Sequence, residues 1–153
     1  MTANIAGVQY NQMQPYGYPF TNDVNVMSTE IGINPYFLWI QGDTAIDLAT
    51  SKEINLYIPE SLWNPGTYNL SEQLDMSASI CQVHMISEVG AGPITSIYVT
   101  NGTLTVTEFN RASRRIKGTF SFTYDKTVDD VPQGTFQVTN GTFNYALDDP
   151  YFN

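Results

Sequence analysis

Residues 101–124, NGTLTVTEFNRASRRIKGTFSFTY, decide the fold class because polar and apolar residues alternate along both halves of this stretch. Leu104 and Val106 lie between threonines in the first half, and Phe or Tyr alternates with Thr or Ser in the second. Side chains of a β-strand point alternately to its two faces, so the pattern predicts strands with one buried and one solvated face. Such strands are typical of antiparallel sheets, because the strands of parallel sheets are buried on both faces.

The residues around these strands have the chemistry of turns. Residues 111–113 separate the two alternating runs and predict a hairpin connection. Asn101-Gly102 predicts a second, tight hairpin, because a type I′ turn requires two residues that tolerate positive φ. Residues 126–133 are expected to form a longer acidic loop. Asn140-Gly141 is interpreted either as a turn or as a bulge within one long C-terminal strand.

The rest of the chain extends the same pattern. Alternation recurs at residues 54–58 and 142–147, whereas helical periodicity is nearly absent and residues 43–52 are the single helical candidate. Gly-Thr followed by an apolar residue recurs at five positions, which we interpret as strand starts: Gly66, Gly102, Gly118, Gly134 and Gly141. Residues 1–153 are therefore predicted to form one antiparallel all-β domain of nine or ten strands. We expect a two-layer β-sandwich, with a flattened or lipocalin-like β-barrel as the alternative.

Composition excludes several classes of protein. Of the 153 residues, 42% are hydrophobic and 13% aromatic, which excludes an intrinsically disordered chain. The net charge of −9 argues against nucleic acid as a general partner. No run of apolar residues approaches the length of a membrane-spanning helix, so no transmembrane segment is expected.

Residues that carry enzyme chemistry are sparse. Cys81 and His84 fall on opposite faces of one predicted strand, so they are not expected to form a catalytic pair, and a single cysteine cannot close an intramolecular disulfide. The adjacent carboxylates at 129–130 and 148–149 lack the spacing of a calcium loop and are interpreted as solvated acidic loops, with weak calcium binding as the alternative. We expect no catalytic residues, no metal site and no cofactor.

Aromatic residues outside the alternating strands predict a binding surface. Exposed Tyr and Trp rings in loops stack on sugars or peptides. The candidate ligand-binding residues are Tyr10, Tyr16, Tyr18, Phe20 and Trp63. The alternative interpretation is that Tyr16 and Phe20 cover the open end of the core. The threonine rows at 103–107 and 119–123 are interpreted as the solvent side of a sheet.

Positive charge is concentrated in one segment. Residues 101–127 contain five of the six basic residues and carry a net charge of +3, whereas the remainder carries −12. Four of these basic residues lie within residues 111–117. They could dock an anionic partner, although Lys and Arg at a hairpin turn ordinarily serve solubility.

Four segments of the chain form a recognisable set of motifs: NGTLTVTE at 101–108, RIKGTFSF at 115–122, VTNGTF at 138–143 and PGTYNL at 65–70. In these motifs the chain resembles a family of small lipoproteins from Bacteroidota with no established activity, and the first three are similar to the family's C-terminal strand motifs. Residues 3–7 resemble its opening strand, and residues 10–26 depart from it. The resemblance implies an all-β, exported protein at the periplasmic or outer-membrane surface, with a lipid anchor in the full-length precursor.

These observations together predict a non-enzymatic binding or accessory module of the cell envelope. Its expected partner is a glycan or an envelope protein, bound by ring stacking, with Asn and Gln supplying hydrogen bonds. One alternative is a structural subunit that recruits partners through an exposed sheet edge. The other is a glycan-active enzyme, which requires two converging carboxylates.

Overall fold

A computed structural model describes residues 1–14, 25–26, 28–29, 37–44, 51–72, 79–88 and 92–147. These residues form eleven strands and one short 3₁₀ helix, Glu60–Leu62. The strands are β1 Thr2–Ile5, β2 Val8–Tyr10, β3 Asn25–Val26, β4 Ser28–Thr29, β5 Phe37–Asp43, β6 Lys52–Pro59, β7 Gly66–Glu72, β8 Cys81–Ser87, β9 Thr95–Asn110, β10 Arg115–Val128 and β11 Val131–Leu147. The two ends of the predicted helical stretch belong to β5 and β6, and residues 45–50 lie outside the described part.

All eleven strands belong to one hydrogen-bonded sheet in the order β2-β1-β11-β10-β9-β7-β8-β6-β5-β4, with β3 pairing β11. The pairs are antiparallel except β7 with β8 and β3 with β11. The sheet curls so that β11 meets β5, where the Tyr145 hydroxyl donates to the Gln41 carbonyl at 2.8 Å. The prediction of an all-β fold is confirmed, and the two expected layers are opposite walls of this curled sheet.

The core lies inside the curl and is lined by alternate residues of each long strand. Most core residues are aliphatic on β5, β6 and β8, and aromatic on β10 and β11. Because alternate side chains point inward, the outward residues of the same strands form the surfaces that a partner can reach.

Two of the Gly-Thr repeats, at Gly118 and Gly141, allow aromatic rings to pack closely within long strands. Gly66 begins β7, but the other four glycines lie inside β9, β10 and β11, so the prediction that they start strands is wrong. Gly118 pairs with Phe143, and Gly141 pairs with Phe120 on the neighbouring strand. A Cβ at Gly118 would lie 2.4 Å from the Phe143 ring, and one at Gly141 would lie 2.6 Å from the Phe120 ring. Glycine is therefore required where these rings lie flat on the adjacent backbone.

The turns differ from expectation at two places. Asn101-Gly102 lies within β9, and the predicted hairpin there is wrong, because β9 continues to pair with β10 on both sides of a bulge. The predicted long acidic loop is also wrong, because Asp129 and Asp130 alone connect β10 to β11, with φ of 47° and 64°. Two consecutive residues at positive φ fit a type I′ turn, which Asp tolerates.

Two other expectations about connections are confirmed. Residues 111–114 form the turn between β9 and β10. The bulge alternative is confirmed at Asn140, which has φ of 52° within β11 and coincides with a shift in register against both β10 and β1.

Candidate functional site

Trp63 lies in the core, with only 6% of its surface exposed. Its indole N–H donates to the Ile58 carbonyl at 2.8 Å, and its ring contacts Phe109 with centroids 5.8 Å apart. The Arg111 guanidinium lies over the ring, 5.6 Å from its centroid. The expectation that Trp63 presents an exposed ring is therefore wrong, because packing against a distant strand buries it.

Tyr10 is half-buried at the end of β2 and packs against the core. Tyr10 lies near Tyr124 of β10, because it contributes to the raised pKa of the Tyr124 hydroxyl. Trp63 lies near Ile116 of the same strand, because its ring contacts Phe109, the residue that pairs with Ile116. Since a strand rises about 3.3 Å per residue, Ile116 and Tyr124 lie roughly 26 Å apart along β10. The structure therefore does not bring Tyr10 and Trp63 together. Tyr16, Tyr18 and Phe20 lie outside the described residues, and their role in binding stays a prediction.

A different group of residues forms a coherent surface on the outward side of β5 and β6. We call it the aromatic–amide face and define it as Trp39, Gln41, Glu53, Asn55 and Tyr57. Trp39 pairs with Tyr57 across the two strands, and Gln41 pairs with Asn55 in the next row. The rings of Trp39 and Tyr57 are nearly parallel, with an interplanar angle of 12° and centroids 6.4 Å apart.

Hydrogen bonds fix the orientation of this face. The Trp39 indole N–H donates to the Asn55 Oδ1 at 2.7 Å, and the Asn55 Nδ2 donates to the Glu53 Oε1 at 2.6 Å. The Gln41 Nε2 donates to the same Glu53 oxygen at 2.9 Å. Asn55 is only 2% exposed. Both polar ends of its amide have partners, so its burial leaves no unpaired polar group.

The environment of the aromatic–amide face keeps the Tyr57 hydroxyl protonated. Burial, and secondarily the nearby Glu53 carboxylate, raise the pKa of the Tyr57 hydroxyl above its ordinary value. The Tyr57 hydroxyl is therefore protonated at neutral pH and can both donate and accept hydrogen bonds. Glu53 adds an acceptor beside it.

Sequence reasoning missed Trp39, although a signal was present. Trp39 and Gln41 alternate with Leu38 and Ile40, and Asn55 and Tyr57 alternate with aliphatic residues in the same way. An outward set of aromatic and amide side chains differs from the Thr and Ser of the other strands. The cross-strand pairing that brings the two sets together depends on register, which the alternation does not give.

The same outward surface continues onto β8 and reaches a cleft. His84 pairs with Asn55 across β6 and β8. His84 also lines a cleft of about 790 Å³ between β8 and the first half of β9, together with Glu72, Glu88, Ile94 and Tyr98. We call this the β8–β9 cleft.

Cys81 and His84 take no part in a common nucleophilic site. Cys81 is buried in the core, whereas His84 is half-buried and lies on the outward face, as the alternation predicts. Burial raises the pKa of the Cys81 thiol to about 12, so the thiolate required of a nucleophile is scarce at neutral pH.

The remaining charged residues are largely engaged in pairs. Arg111 lies 3.6 Å from Glu60, and Lys117 lies 2.6 Å from Glu108. Asp129 accepts a hydrogen bond from the Ile94 N–H at 2.8 Å, which gives this carboxylate a role in the β10–β11 turn. Within the described ranges, no group of three or more His, Cys, Asp or Glu side chains is placed to hold a metal ion.

The fold and these surfaces define an all-β protein built as one curled, mainly antiparallel sheet. A family model described as a domain of unknown function, DUF6252, matches residues 26–146, and the chain belongs to that family. No curated protein and no solved structure matches the chain. Among the residues described, no helix is long and apolar enough to cross a membrane.

Proposed function

We propose that this protein is a non-enzymatic binding module of the cell envelope and that the aromatic–amide face contacts its ligand. The observation that carries the proposal is the pair of nearly parallel rings of Trp39 and Tyr57, held beside an Asn, a Gln and a carboxylate. Rings that stack on the apolar face of a sugar suit a neutral saccharide, and the Glu53 carboxylate beside them can accept hydrogen bonds from its hydroxyl groups. Asn55 is buried and serves to hold the Trp39 indole.

Rigidity of the rings supports this role. The hydrogen bond from Trp39 to Asn55 and the second from Asn55 to Glu53 restrain the indole before any ligand arrives. A restrained side chain loses little conformational entropy on binding, so more of the contact energy remains as affinity.

Cell-envelope location is part of the proposal and is supported by the resemblance to small lipoproteins of Bacteroidota. Fractionation of cells that express the full-length precursor tests it. The tagged protein is expected with the envelope fraction, and recovery in the cytoplasmic fraction would contradict the location.

A glycan array tests the binding function. The wild-type protein is compared with Trp39→Ala, and Tyr98→Ala serves as a matched control because Tyr98 is an exposed aromatic residue on another strand. We expect wild type and control to bind the same neutral glycan, and Trp39→Ala to bind at least about tenfold more weakly, which corresponds to about 1.4 kcal/mol. An array without a hit, or equal binding by Trp39→Ala, would overturn the proposal.

Incubation with the bound glycan tests the non-enzymatic part. We expect the glycan to be recovered intact, because Glu53 is the carboxylate of this face and hydrolysis requires a pair. Cleavage by the wild-type protein that is lost in Glu53→Gln would show that the protein is an enzyme.

A further inference from the structure

Glu53 of the aromatic–amide face differs from other glutamates of the sheet in having no basic partner. Glu60, Glu88 and Glu108 each form an ion pair with a Lys or Arg. The described residues include all six Lys and Arg of the chain, and among them none pairs with Glu53. The Glu53 carboxylate is therefore available to a cation that a ligand brings, with which it can form a charge-assisted hydrogen bond.

The Glu53 carboxylate is held in one orientation. Its Oε1 accepts hydrogen bonds from the Asn55 Nδ2 at 2.6 Å and from the Gln41 Nε2 at 2.9 Å. Both donors are neutral amides, so they orient the carboxylate without neutralising its charge. Within the part of the chain that the structure describes, no hydrogen bond reaches its second oxygen, Oε2. Oε2 is therefore the oxygen of this carboxylate that can accept from a ligand.

The two tryptophans differ in the same respect. The Arg111 guanidinium lies over the Trp63 ring, 5.6 Å from its centroid. No Lys or Arg among the described residues lies over the ring of Trp39, which is half-buried and nearly parallel to that of Tyr57. The face of an indole attracts cations more strongly than that of any other aromatic side chain. Trp39 is therefore the tryptophan that can contact a cation of a ligand.

The carboxylate and the rings are close enough for one ligand to contact both. Asn55 links them, because it donates to Glu53 at 2.6 Å and accepts from the Trp39 indole N–H at 2.7 Å. Glu53 also lies near the Tyr57 hydroxyl, since its charge contributes to the raised pKa of Tyr57. The chain outside residues 101–127 carries a net charge of −12 and includes the whole face. The surrounding field therefore favours a cationic ligand over an anionic one.

We propose that the saccharide preferred by the aromatic–amide face carries a free amino group, which binds Glu53 Oε2 while a sugar ring stacks on Trp39. This inference rests on the proposed function and narrows its ligand class to amino sugars. An ammonium group offers three donors and no acceptor, which matches a carboxylate oxygen that can only accept. Neutral saccharides stack on the same rings without the ionic contact. A sugar with its own carboxylate is disfavoured, because it would bring a like charge to Glu53.

An array of matched pairs tests the inference with the full chain. Each amino-sugar oligosaccharide is printed once with its N-acetyl groups, as a neutral form, and once without them, as a cationic form. Binding is measured in a mildly acidic buffer in which the amine is protonated and Glu53 is ionised. We expect at least one pair whose cationic form binds about fivefold more tightly, as an exposed cation contributes. The difference should shrink in 1 M salt, where the screening length falls to about 3 Å.

Two matched variants locate the group that selects the amine. Glu53→Gln and Glu108→Gln each remove one negative charge, and Glu108 pairs with Lys117 away from the aromatic–amide face. A Gln at position 53 keeps an oxygen that can accept from the two amides. We expect Glu53→Gln to bring the affinity ratio of cationic to neutral form to about one, and Glu108→Gln to leave it at about five. His84 pairs with Asn55 on β8, and His84→Gln should not lower the ratio, because a protonated His84 repels the amine.

Three results would overturn the inference. One is an array on which no pair favours the cationic form, and another is a preference that survives in Glu53→Gln. The third is displacement of the bound glycan by tetralysine at equal concentration, which would show that the face binds any cation; we expect tetralysine not to compete. A neutral glycan that binds through Trp39, with no preference for its amine form, would leave the proposed function intact. Failure of this inference and failure of the proposed function are therefore distinguishable.

Discussion

Two outward faces of the same curled sheet differ sharply in chemistry. On one side, a row of threonines crosses five strands, with Thr2 next to Thr142, Thr142 next to Thr119, Thr119 next to Thr105 and Thr105 next to Thr67. We call this row the threonine face. On the other side, the aromatic–amide face carries two large rings and a polar network. The underlying cores are both well buried.

The threonine face keeps the sheet solvated, whereas the aromatic–amide face is the surface that we propose for ligand recognition. Hydroxyls of the threonine face pair with each other, Thr2 with Thr142 at 2.7 Å and Thr67 with Thr105 at 3.1 Å, and expose no ring. Cross-strand threonine pairs contribute only fractions of a kcal/mol to sheet stability. Trp39 and Tyr57, by contrast, are half-buried, so part of each ring remains accessible for stacking on a ligand.

The largest effect on stability is expected beneath the threonine face. In Gly118→Ala, the new Cβ would lie 2.2 Å from the Thr105 carbonyl oxygen and 2.4 Å from the Phe143 ring, so backbone must shift. We expect the free energy of unfolding to fall by about 3 kcal/mol in urea denaturation. Gly92→Ala is the control, because its Cβ would meet nothing within 4 Å, and it should change stability by less than about 0.5 kcal/mol. Equal stability of the two variants would contradict the ring-on-glycine packing.

The loss of stability at alkaline pH tests whether two core side chains, Cys81 and Tyr124, are buried. Burial raises the pKa of Cys81, under β8, and of Tyr124, under β10, each to about 12. A buried acid with a raised pKa stabilises the fold fully below its unfolded pKa, and this contribution is lost as pH rises through the folded pKa. We therefore expect the urea midpoint to hold to about pH 9 and to fall progressively toward pH 12.

Tyr124→Phe shows how much of the alkaline loss of stability comes from Tyr124. The variant should lose less stability than wild type between pH 10 and pH 12 and should retain the part that Cys81 and Tyr145, whose pKa burial also raises, cause. A wild-type midpoint that is constant through pH 11 would contradict the burial of these groups.

A smaller loss of stability is expected where β11 meets β5. Tyr145→Phe removes the hydroxyl that donates to the Gln41 carbonyl and leaves the ring in place. We expect a loss of about 1 kcal/mol in the free energy of unfolding. Tyr98→Phe should have almost none, since Tyr98 is exposed. A Tyr145→Phe variant as stable as wild type would argue against this bond between β11 and β5.

The smallest effect is expected on the threonine face itself. Thr119→Val removes one hydroxyl from the middle of the row and keeps a β-branched side chain. Stability should change by less than about 0.5 kcal/mol, and glycan binding should be unchanged. Loss of glycan binding in Thr119→Val would show that the threonine face, and not the aromatic–amide face, recognises the ligand.

Much of the fold was readable because β10 repeats a simple alternation from Ile116 to Tyr124. Asn101-Gly102 shows a limit of prediction from local sequence. The same dipeptide suits a turn or a bulge, and only the pairing of β9 with β10 shows that it lies within a strand. The prediction that Trp63 is exposed fails because Trp63 lies just before a Pro-Gly sequence typical of loops. Its burial depends on contact with Phe109, which is distant in the sequence.

The candidate site was less predictable than the fold. Residues of the aromatic–amide face come from two strands, and their meeting depends on the register of β5 against β6. The β8–β9 cleft depends on where β7 ends, and the sequences of β8 and β9 do not predict that position. Both features are properties of strand pairing and not of any single segment.

The two tryptophans of the chain allow the central claim to be tested within one sample. Trp39 and Trp63 each have an indole N–H, bound to Asn55 on the outward face and to Ile58 in the core. We would titrate the ¹⁵N-labelled protein with neutral oligosaccharides and follow both indole signals by NMR. At least one oligosaccharide should shift the Trp39 signal and leave the Trp63 signal in place. If no oligosaccharide moves the Trp39 signal, the aromatic–amide face is not a saccharide site.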